Sequence, residues 1–222
     1  MNNKKRFAIV LSGCGRADGS EIHEAVSLLL ATDMNDVNYE FFAPDISQKR
    51  VLNHLSGKIE NEQRSVLVES ARIARGNIKP LNEYNPENFD AIVFPGGVGA
   101  VTNLCNFALT NHDYQVDSDV KKALEKSYAK KIVIGAMCIA PVLVAGVLGK
   151  YGVVVSIGND KNTIAKIESF GAKHRTTSAT EVCVDKEHKI VTTPAYMLAN
   201  SPKEVYQGAC EMVKEIIKLA DL

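Results

Sequence analysis

Hydrophobic positions in this chain form short apolar runs that alternate with longer stretches of helical spacing. The apolar runs, which are typical of buried strands, lie at residues 6–11, 38–44, 90–95, 132–138 and 153–157. Apolar residues recur with helical spacing over residues 21–30, 62–75, 116–129, 143–148, 162–170 and 202–219. Residues 180–185 and 189–193 flank a polar turn and predict a β-hairpin. The alternation as a whole predicts an α/β protein with a mostly parallel sheet.

The stretch from Ile132 to Pro141 predicts a buried strand that turns sharply into a helix, with Cys138 on the corner. A side chain at such a corner lies beside the helix N-terminus, where free N–H groups and the helix dipole lower a thiol pKa and bind an oxyanion. The nucleophilic serine of the α/β-hydrolases occupies the same kind of corner. The alternative is that Cys138 is a small buried hydrophobic residue, as most free cysteines are.

Glycine loops follow two other predicted strands. Gly96 and Gly97 follow the strand at residues 90–95, and they either let the backbone approach a ligand closely or serve a tight turn alone. Because the carboxyl ends of parallel strands meet at one edge of a sheet, this loop is expected to lie near Cys138. Residues 12–15 form a similar loop, but Asp18 replaces the third glycine of a dinucleotide-binding fingerprint.

The first predicted helix carries two acidic residues in its first turn. Ser20 is the expected N-cap, and Glu21 and Glu24 follow it. Spacing alone favours a helix-dipole role for both acids. The alternative is that Glu24 points inward, because Leu28 and Ala31 share its helical face; a carboxyl against an apolar wall would have a raised pKa.

Composition narrows the classes of function. The chain has 222 residues without a linker or repeat, so a single domain over residues 1–222 is expected. Its 26 basic and 26 acidic residues cancel, which argues against a nucleic-acid or anionic-membrane surface and favours a small-molecule partner. The apolar run that ends at Leu11 is too short for a signal sequence or a spanning helix, so a cytoplasmic protein is expected.

Cysteine and histidine spacing predicts neither a metal site nor a disulfide framework. The odd number of cysteines contains no C-x-x-C pair: Cys14, Cys105, Cys138, Cys183 and Cys210. Cys183 lies in a predicted strand, and a structural role is expected for it. The histidines are widely separated: His23, His54, His112, His174 and His188.

Several stretches, taken together, resemble the ElbB group of the DJ-1/PfpI superfamily over most of the chain. The matching segments are residues 11–15, 18–25, 42–45, 53–55, 71–76, 95–97, 103–104, 137–141 and 191–197. The resemblance implies a flavodoxin-like three-layer α/β sandwich, similar to class I glutamine amidotransferases. It also implies that Cys138 is the nucleophile, that Glu24 contacts its thiol, and that Gly96 and Gly97 lie in the oxyanion loop.

The same resemblance implies a function. Members of the group are weak glyoxalases that need no cofactor and convert glyoxal to glycolate, and a deglycase activity and a link to isoprenoid biosynthesis are attached to them. A homodimer is usual in the superfamily. Many hydrolases of the superfamily carry a His soon after the nucleophile, but residues 139–173 contain none. This absence argues against a Cys-His-acid triad and against amide hydrolysis, and it leaves Glu24 as the proton shuttle.

The mechanistic hypothesis is that Cys138 adds to an aldehyde carbon of a small dicarbonyl and that Glu24 transfers the protons. Backbone N–H groups near Gly97 and Ile139 would hold the enediolate oxygen. The alternative is a redox-sensing or stress-related binding protein in which Cys138 is oxidised reversibly to a sulfenate.

Overall fold

The computed structural model describes residues 4–110 and 113–222, so His112 lies outside the described residues. The strands are β1 (Arg6–Val10), β2 (Asn38–Ala43), β3 (Val51–Leu52), β4 (Ile59–Glu60), β5 (Ile78–Pro80), β6 (Ala91–Phe94), β7 (Val133–Met137), β8 (Val154–Val155), β9 (Lys173–His174), β10 (Cys183–Asp185) and β11 (Ile190–Thr193). The α-helices are α1 (Ile22–Met34), α2 (Val66–Ile73), α3 (Val98–Thr102), α4 (Ser118–Ala129), α5 (Pro141–Leu148), α6 (Lys161–Ser169) and α7 (Pro202–Ala220).

Seven strands form the central sheet in the order β10-β11-β7-β6-β1-β2-β5. Every neighbouring pair is parallel except β10 and β11, which form the predicted antiparallel hairpin. The predicted α/β fold with a mostly parallel sheet is therefore confirmed. Because β7, β6 and β1 are adjacent, the loops that follow them meet at the carboxyl edge of the sheet.

Apolar layers cover both faces of this sheet. On one face the strands pack against α3, α4, α5 and α6, and on the other against α1 and α7. Alternate residues of a strand point to opposite faces, so Ile134 of β7 joins the first layer while Val133 and Met137 join the second. Cys138 belongs to the second layer, on the side of α1 and α7. Within the described residues, no helix is both long and apolar enough to cross a membrane.

The start of α1 differs from the prediction. Glu21, and not Ser20, is the N-cap, and its carboxylate accepts a hydrogen bond of 2.8 Å from the backbone N–H of Glu24. Ser20 is fully buried, and its hydroxyl oxygen accepts from the backbone N–H of Ser12 at 2.9 Å. The serine is needed by the neighbouring loop, and the acid takes its place at the helix end.

Three other elements also depart from the sequence pattern. The strand predicted at residues 153–157 is shortened to β8, which pairs with β9 in a separate two-stranded sheet. The helix predicted at residues 62–75 begins only at Val66, because Ser65 caps it by accepting from the N–H of Val68 at 3.3 Å. The short helix α3 follows Gly97 directly and was not predicted.

Candidate active site

Cys138 lies at the corner between β7 and α5, as predicted. Its backbone φ is +58°, a left-handed conformation that is uncommon for a residue other than glycine. Its N–H donates a hydrogen bond of 2.9 Å to the carbonyl oxygen of Thr193, the last residue of the neighbouring strand β11. The residue is only 8% exposed, so the corner is buried.

Glu24 lies beside this thiol, completely buried. One carboxylate oxygen accepts from the N–H of Gly96 at 3.0 Å, and the other accepts from the N–H of Tyr196 at 3.2 Å. The carboxylate is also hydrogen-bonded to the thiol of Cys138. A helix-dipole role, which spacing favours, does not explain why the Glu24 carboxylate is buried. The alternative that Glu24 points inward explains it, because Leu28 and Ala31 on the same helical face are also buried.

The glycine loop after β6 closes over this pair. A Cβ atom on Gly96 would lie 2.4 Å from the Cβ of Cys138 and 2.5 Å from a carboxylate oxygen of Glu24. Gly97 has a φ of +102°, and a Cβ there would lie 2.3 Å from the backbone nitrogen of Glu21. Both glycines are therefore required by close approach, and a tight turn alone does not account for them.

We expect the substitution Gly96→Ala to lower the free energy of unfolding by about 3 kcal/mol, the upper end of the range for overpacking. The added methyl group would meet the Cys138 Cβ and the buried carboxylate of Glu24, neither of which can move away freely. Gly57→Ala is the control, because no atom lies within 4 Å of a Cβ built there. Its left-handed backbone should cost only about 1 kcal/mol. Equal losses in denaturant titrations of the two variants would contradict the steric argument.

Burial dominates the electrostatics of the site. It raises the pKa of Glu24 from its ordinary 4.5 to about 7, although hydrogen bonds from the Tyr196 N–H, the Cys138 thiol and the Gly96 N–H oppose the shift. Burial also raises the pKa of the Cys138 thiol well above its usual range, and the charge of Glu24 and its hydrogen bond act in the same direction. The N–H groups of Gly97 and Ile139 lower that pKa, but their effect is smaller.

The lowered thiol pKa predicted for the corner is therefore wrong. The helix N-terminus does supply N–H groups, but desolvation and the neighbouring carboxylate outweigh them. Near neutral pH, Cys138 carries its proton and Glu24 is the group that titrates. Such a pair can transfer the thiol proton to the carboxylate at the moment of attack. The N–H groups of Gly97 and Ile139 then face the place where negative charge develops.

The sequence analysis assigned no role to two residues of the site, Tyr196 and Thr193. Tyr196 binds Glu24 through its backbone, and its hydroxyl lies 2.8 Å from Nδ1 of His23. Thr193 holds the backbone of Cys138. Both follow from one signal that was available, since the run from Thr193 to Met197 begins where β11 ends, at the same edge of the sheet as the Cys138 corner.

The remaining histidines of the described chain make other contacts. His174 lies on β9, where its Nε2 is 3.3 Å from the backbone nitrogen of Ile157. His54 lies in a loop, bonded to the N–H of Ala17, and His188 pairs with Asp185. Among residues 4–110 and 113–222, no three His, Cys, Asp or Glu side chains are grouped as metal ligands.

Comparison with known proteins places the chain in a family. No sequence model of a protein family matches it. The rat ES1 protein homolog, mitochondrial, is 41% identical over 226 residues, which cover 97% of this chain and 84% of the relative. The human glutamine amidotransferase-like class 1 domain-containing protein 3, mitochondrial, is 41% identical over 224 residues, covering 96% and 83% of the two chains. The chain belongs to the ES1 family.

Solved structures agree with this assignment. An isoprenoid biosynthesis protein with an amidotransferase-like domain from Ehrlichia chaffeensis is 36% identical to this chain. The match has a TM-score of 0.91 and covers 97% of this chain and 99% of the other. A ThiJ/PfpI domain protein from Brachyspira murdochii is only 14% identical, with a TM-score of 0.60 over 97% and 99% of the two chains, and shows the fold alone. The flavodoxin-like sandwich of the DJ-1/PfpI type is confirmed.

The cytoplasmic location predicted from the N-terminal sequence is wrong. The ES1 family relatives from rat and human are both named as mitochondrial proteins. The prediction rested only on the absence of an apolar signal sequence or spanning segment. Mitochondrial targeting segments are amphipathic, so that absence does not argue against a mitochondrial location.

Proposed function

We propose that this protein is a glyoxalase of the ElbB group, which converts small dicarbonyls such as glyoxal to hydroxy acids without a cofactor. One observation carries the proposal: the thiol of Cys138 is hydrogen-bonded to the buried carboxyl of Glu24, whose pKa of about 7 suits a base at neutral pH. The group's link by name to isoprenoid biosynthesis agrees with the description of the Ehrlichia protein.

The first step joins the thiol to the substrate. Glu24 takes the proton of Cys138 as the sulfur bonds to one aldehyde carbon. It then gives that proton to the oxygen on that carbon, which becomes the hydroxyl of a hemithioacetal, and Glu24 is again a carboxylate. The N–H groups of Gly97 and Ile139, which face the sulfur, stabilise the negative charge on that oxygen during attack.

The second step moves a hydrogen between the two carbons. Glu24 removes the C–H proton of the hemithioacetal to give an enediolate, and the same carboxyl returns that proton to the other carbon. The distal oxygen gains a proton and the near hydroxyl loses one, so the protons balance. The product is a glycolyl thioester on Cys138, which water cleaves to glycolate and the free thiol. One carbon is oxidised and its neighbour is reduced. The net reaction is glyoxal plus water to glycolate, and no external electron carrier is required.

The direct test is incubation of the purified protein with carbon-13 glyoxal, followed by NMR. We expect glycolate to accumulate with many turnovers in buffer that contains neither thiols nor nucleotides. Protein in which Cys138 has been alkylated beforehand serves as the control. Glyoxal that remains unconverted, beyond the rate in that control, contradicts the proposal.

The redox-sensing alternative is disfavoured by the state of the thiol. Redox-sensor cysteines are typically accessible to solvent and have a low pKa, whereas Cys138 is buried and its pKa is raised. Amide hydrolysis is disfavoured as well. Within the described chain, no histidine is hydrogen-bonded to Cys138 or to Glu24.

We also propose that two copies of the chain associate through α1. An apolar stripe of four residues, each between 43% and 67% exposed, follows this helix: Ile22, Val26, Leu30 and Met34. Exposed His23 and Asp33 fall within the same arc of about 120° at 3.6 residues per turn. If two copies of α1 pack antiparallel about a two-fold axis between Val26 and Leu30, His23 of one copy opposes Asp33 of the other. The apolar stripe and the polar residues beside it are thus self-complementary.

Val26→Asp should convert the dimer to a monomer in light-scattering measurements, because it places a charge at the centre of the stripe. The control is Val68→Asp on α2, since Val68 is 63% exposed and lies outside α1. The control variant should remain dimeric. A wild-type protein that is monomeric, or a Val26→Asp variant that stays dimeric, contradicts the α1 interface.

A further inference from the structure

The loop after β11 wraps around the reactive corner. The carbonyl oxygen of Thr193 accepts from the N–H of Cys138 at 2.9 Å, and the N–H of Tyr196 donates to Glu24 at 3.2 Å. Between them, Ala195 adopts a φ of +43°, which is unusual for a residue with a Cβ. The strained turn places the backbone N–H of Tyr196 where it donates a hydrogen bond to the proposed base, Glu24.

The phenol of Tyr196 is fixed at its other end as well. Its hydroxyl lies 2.8 Å from Nδ1 of His23, and the two ring centroids are 6.0 Å apart. His23 precedes Glu24 on α1, so consecutive helix residues hold the backbone and the side chain of one tyrosine. Tyr196 is half-buried, whereas Cys138 and Glu24 are enclosed.

The electrostatic surroundings keep this phenol protonated. Burial raises the pKa of Tyr196 above its ordinary value, and the negative charges of Glu21 and Glu24 raise it further. At neutral pH the group has a proton to donate.

The proposed reaction requires a donor that has not yet been assigned. When Glu24 removes the C–H proton, the electron pair moves onto the distal carbonyl oxygen, the one not carried by the carbon bonded to sulfur. The N–H groups of Gly97 and Ile139 face the sulfur and serve the near oxygen. A histidine after the nucleophile could have served the distal oxygen, but residues 139–173 contain none.

We infer that Tyr196, positioned by His23, donates a proton to the distal oxygen of the bound dicarbonyl. In the forward step the phenol O–H bond breaks, the enediol gains a hydroxyl, and Tyr196 is left as a phenolate. When the enediol collapses to the thioester, the near hydroxyl loses its proton and the phenolate regains one. Tyr196 therefore ends the cycle unchanged. The inference rests on the proposed glyoxalase function.

The test compares Tyr196→Phe with the wild type on ordinary and fully deuterated glyoxal. We expect kcat to fall about 10²-fold, a typical contribution of one general acid. KM should change little, and the deuterium isotope effect on kcat should rise because C–H cleavage becomes limiting. The rate at which iodoacetamide alkylates Cys138 should be unchanged, since the phenol does not act on the thiol.

Two further variants separate a chemical role from a structural one. Tyr206→Phe is the control, because among the described residues the hydroxyl of Tyr206 interacts with the sulfur of Met34, at 2.8 Å, and with Cys210 of α7, and not with the candidate site. It should retain wild-type kcat. His23→Ala should give a smaller loss than Tyr196→Phe, with the same rise in isotope effect.

The outcomes distinguish this inference from the function on which it rests. Wild-type turnover with an unchanged kcat in Tyr196→Phe overturns the role of the tyrosine and leaves the glyoxalase proposal intact. A Tyr196→Phe variant that loses kcat and Cys138 alkylation together, without a larger isotope effect, has a disturbed loop and also overturns it. A wild-type protein that makes no glycolate overturns both proposals.

Discussion

The substitution Cys138→Ser is expected to reduce glycolate formation from glyoxal by on the order of 10⁴-fold or more, the scale on which loss of a nucleophile acts. A serine hydroxyl can still donate to Glu24, so the hydrogen bond and the fold should survive. It is, however, a far weaker acid than a thiol, and a carboxyl with a pKa of about 7 cannot deprotonate it usefully. Steady-state assay by NMR, with thermal unfolding to verify the fold, measures the effect.

Cys14→Ser is the matched control for this experiment. Cys14 follows β1 and also lies at the carboxyl edge of the sheet; it is half-buried, and burial raises its pKa. It makes no contact with Glu24, so its replacement should leave turnover within about twofold of wild type, as for an ordinary surface substitution. If turnover survives in Cys138→Ser and disappears in Cys14→Ser, the nucleophile has been assigned to the wrong residue.

The substitution Glu24→Gln is expected to reduce kcat by roughly 10²- to 10⁴-fold, the usual contribution of a general base. Wild-type kcat/KM should rise with pH and level off above about 7, because Glu24 must lose its proton to act and its pKa is about 7. The variant should lack this rise. Rate measurements from pH 5 to pH 9 test both statements, and a wild-type profile that is flat across pH 7 would contradict the role of Glu24.

Thiol reactivity should change in the opposite direction. The charge of Glu24 and its hydrogen bond raise the pKa of Cys138, so a neutral glutamine should lower that pKa. Above pH 8 we therefore expect iodoacetamide to alkylate Cys138 faster in Glu24→Gln than in the wild type, while turnover falls. A locally unfolded variant would not combine faster alkylation and lower turnover with an unchanged melting transition.

The same residue makes folding stability depend on pH. The pKa of Glu24 is raised from 4.5 in the unfolded chain to about 7 in the folded protein, so the folded state favours the protonated acid. The stability it contributes is complete below pH 4.5 and is lost as pH rises through 7, by roughly 3 kcal/mol in all. Glu24→Gln should abolish this part of the pH dependence. Denaturant titrations of both proteins at pH 5 and pH 8 measure the difference.

The corner and its neighbouring loop could be predicted because their signals are local. Apolar runs that end in Cys138 and in Gly96 mark strand ends, and a parallel sheet brings strand ends together. The prediction needed only that β6 and β7 be neighbours, which the structure confirms. The hairpin of β10 and β11 followed in the same way from two apolar segments and a short turn.

The chemistry of the corner depended on contacts that spacing does not encode. Glu24 has the sequence context of a helix-dipole acid, and only the packing of α1 against the sheet shows that its face is buried. The direction of the thiol pKa was wrong for a related reason. A helix N-terminus can be recognised from sequence, but the burial and the carboxylate that outweigh it arise from segments that are distant in the sequence.

Folding makes the Cys138 thiol a weaker acid than it is in the unfolded chain, where neither burial nor Glu24 acts on it. The enclosure requires four separate segments, from α1 to Tyr196, and is complete only when β11 has joined β7. The chain therefore carries an ordinary, ionisable cysteine until these segments have come together. Alkylating or oxidising agents at neutral pH should damage unfolded copies first, because the burial and the carboxylate that keep the thiol protonated exist only in the folded protein.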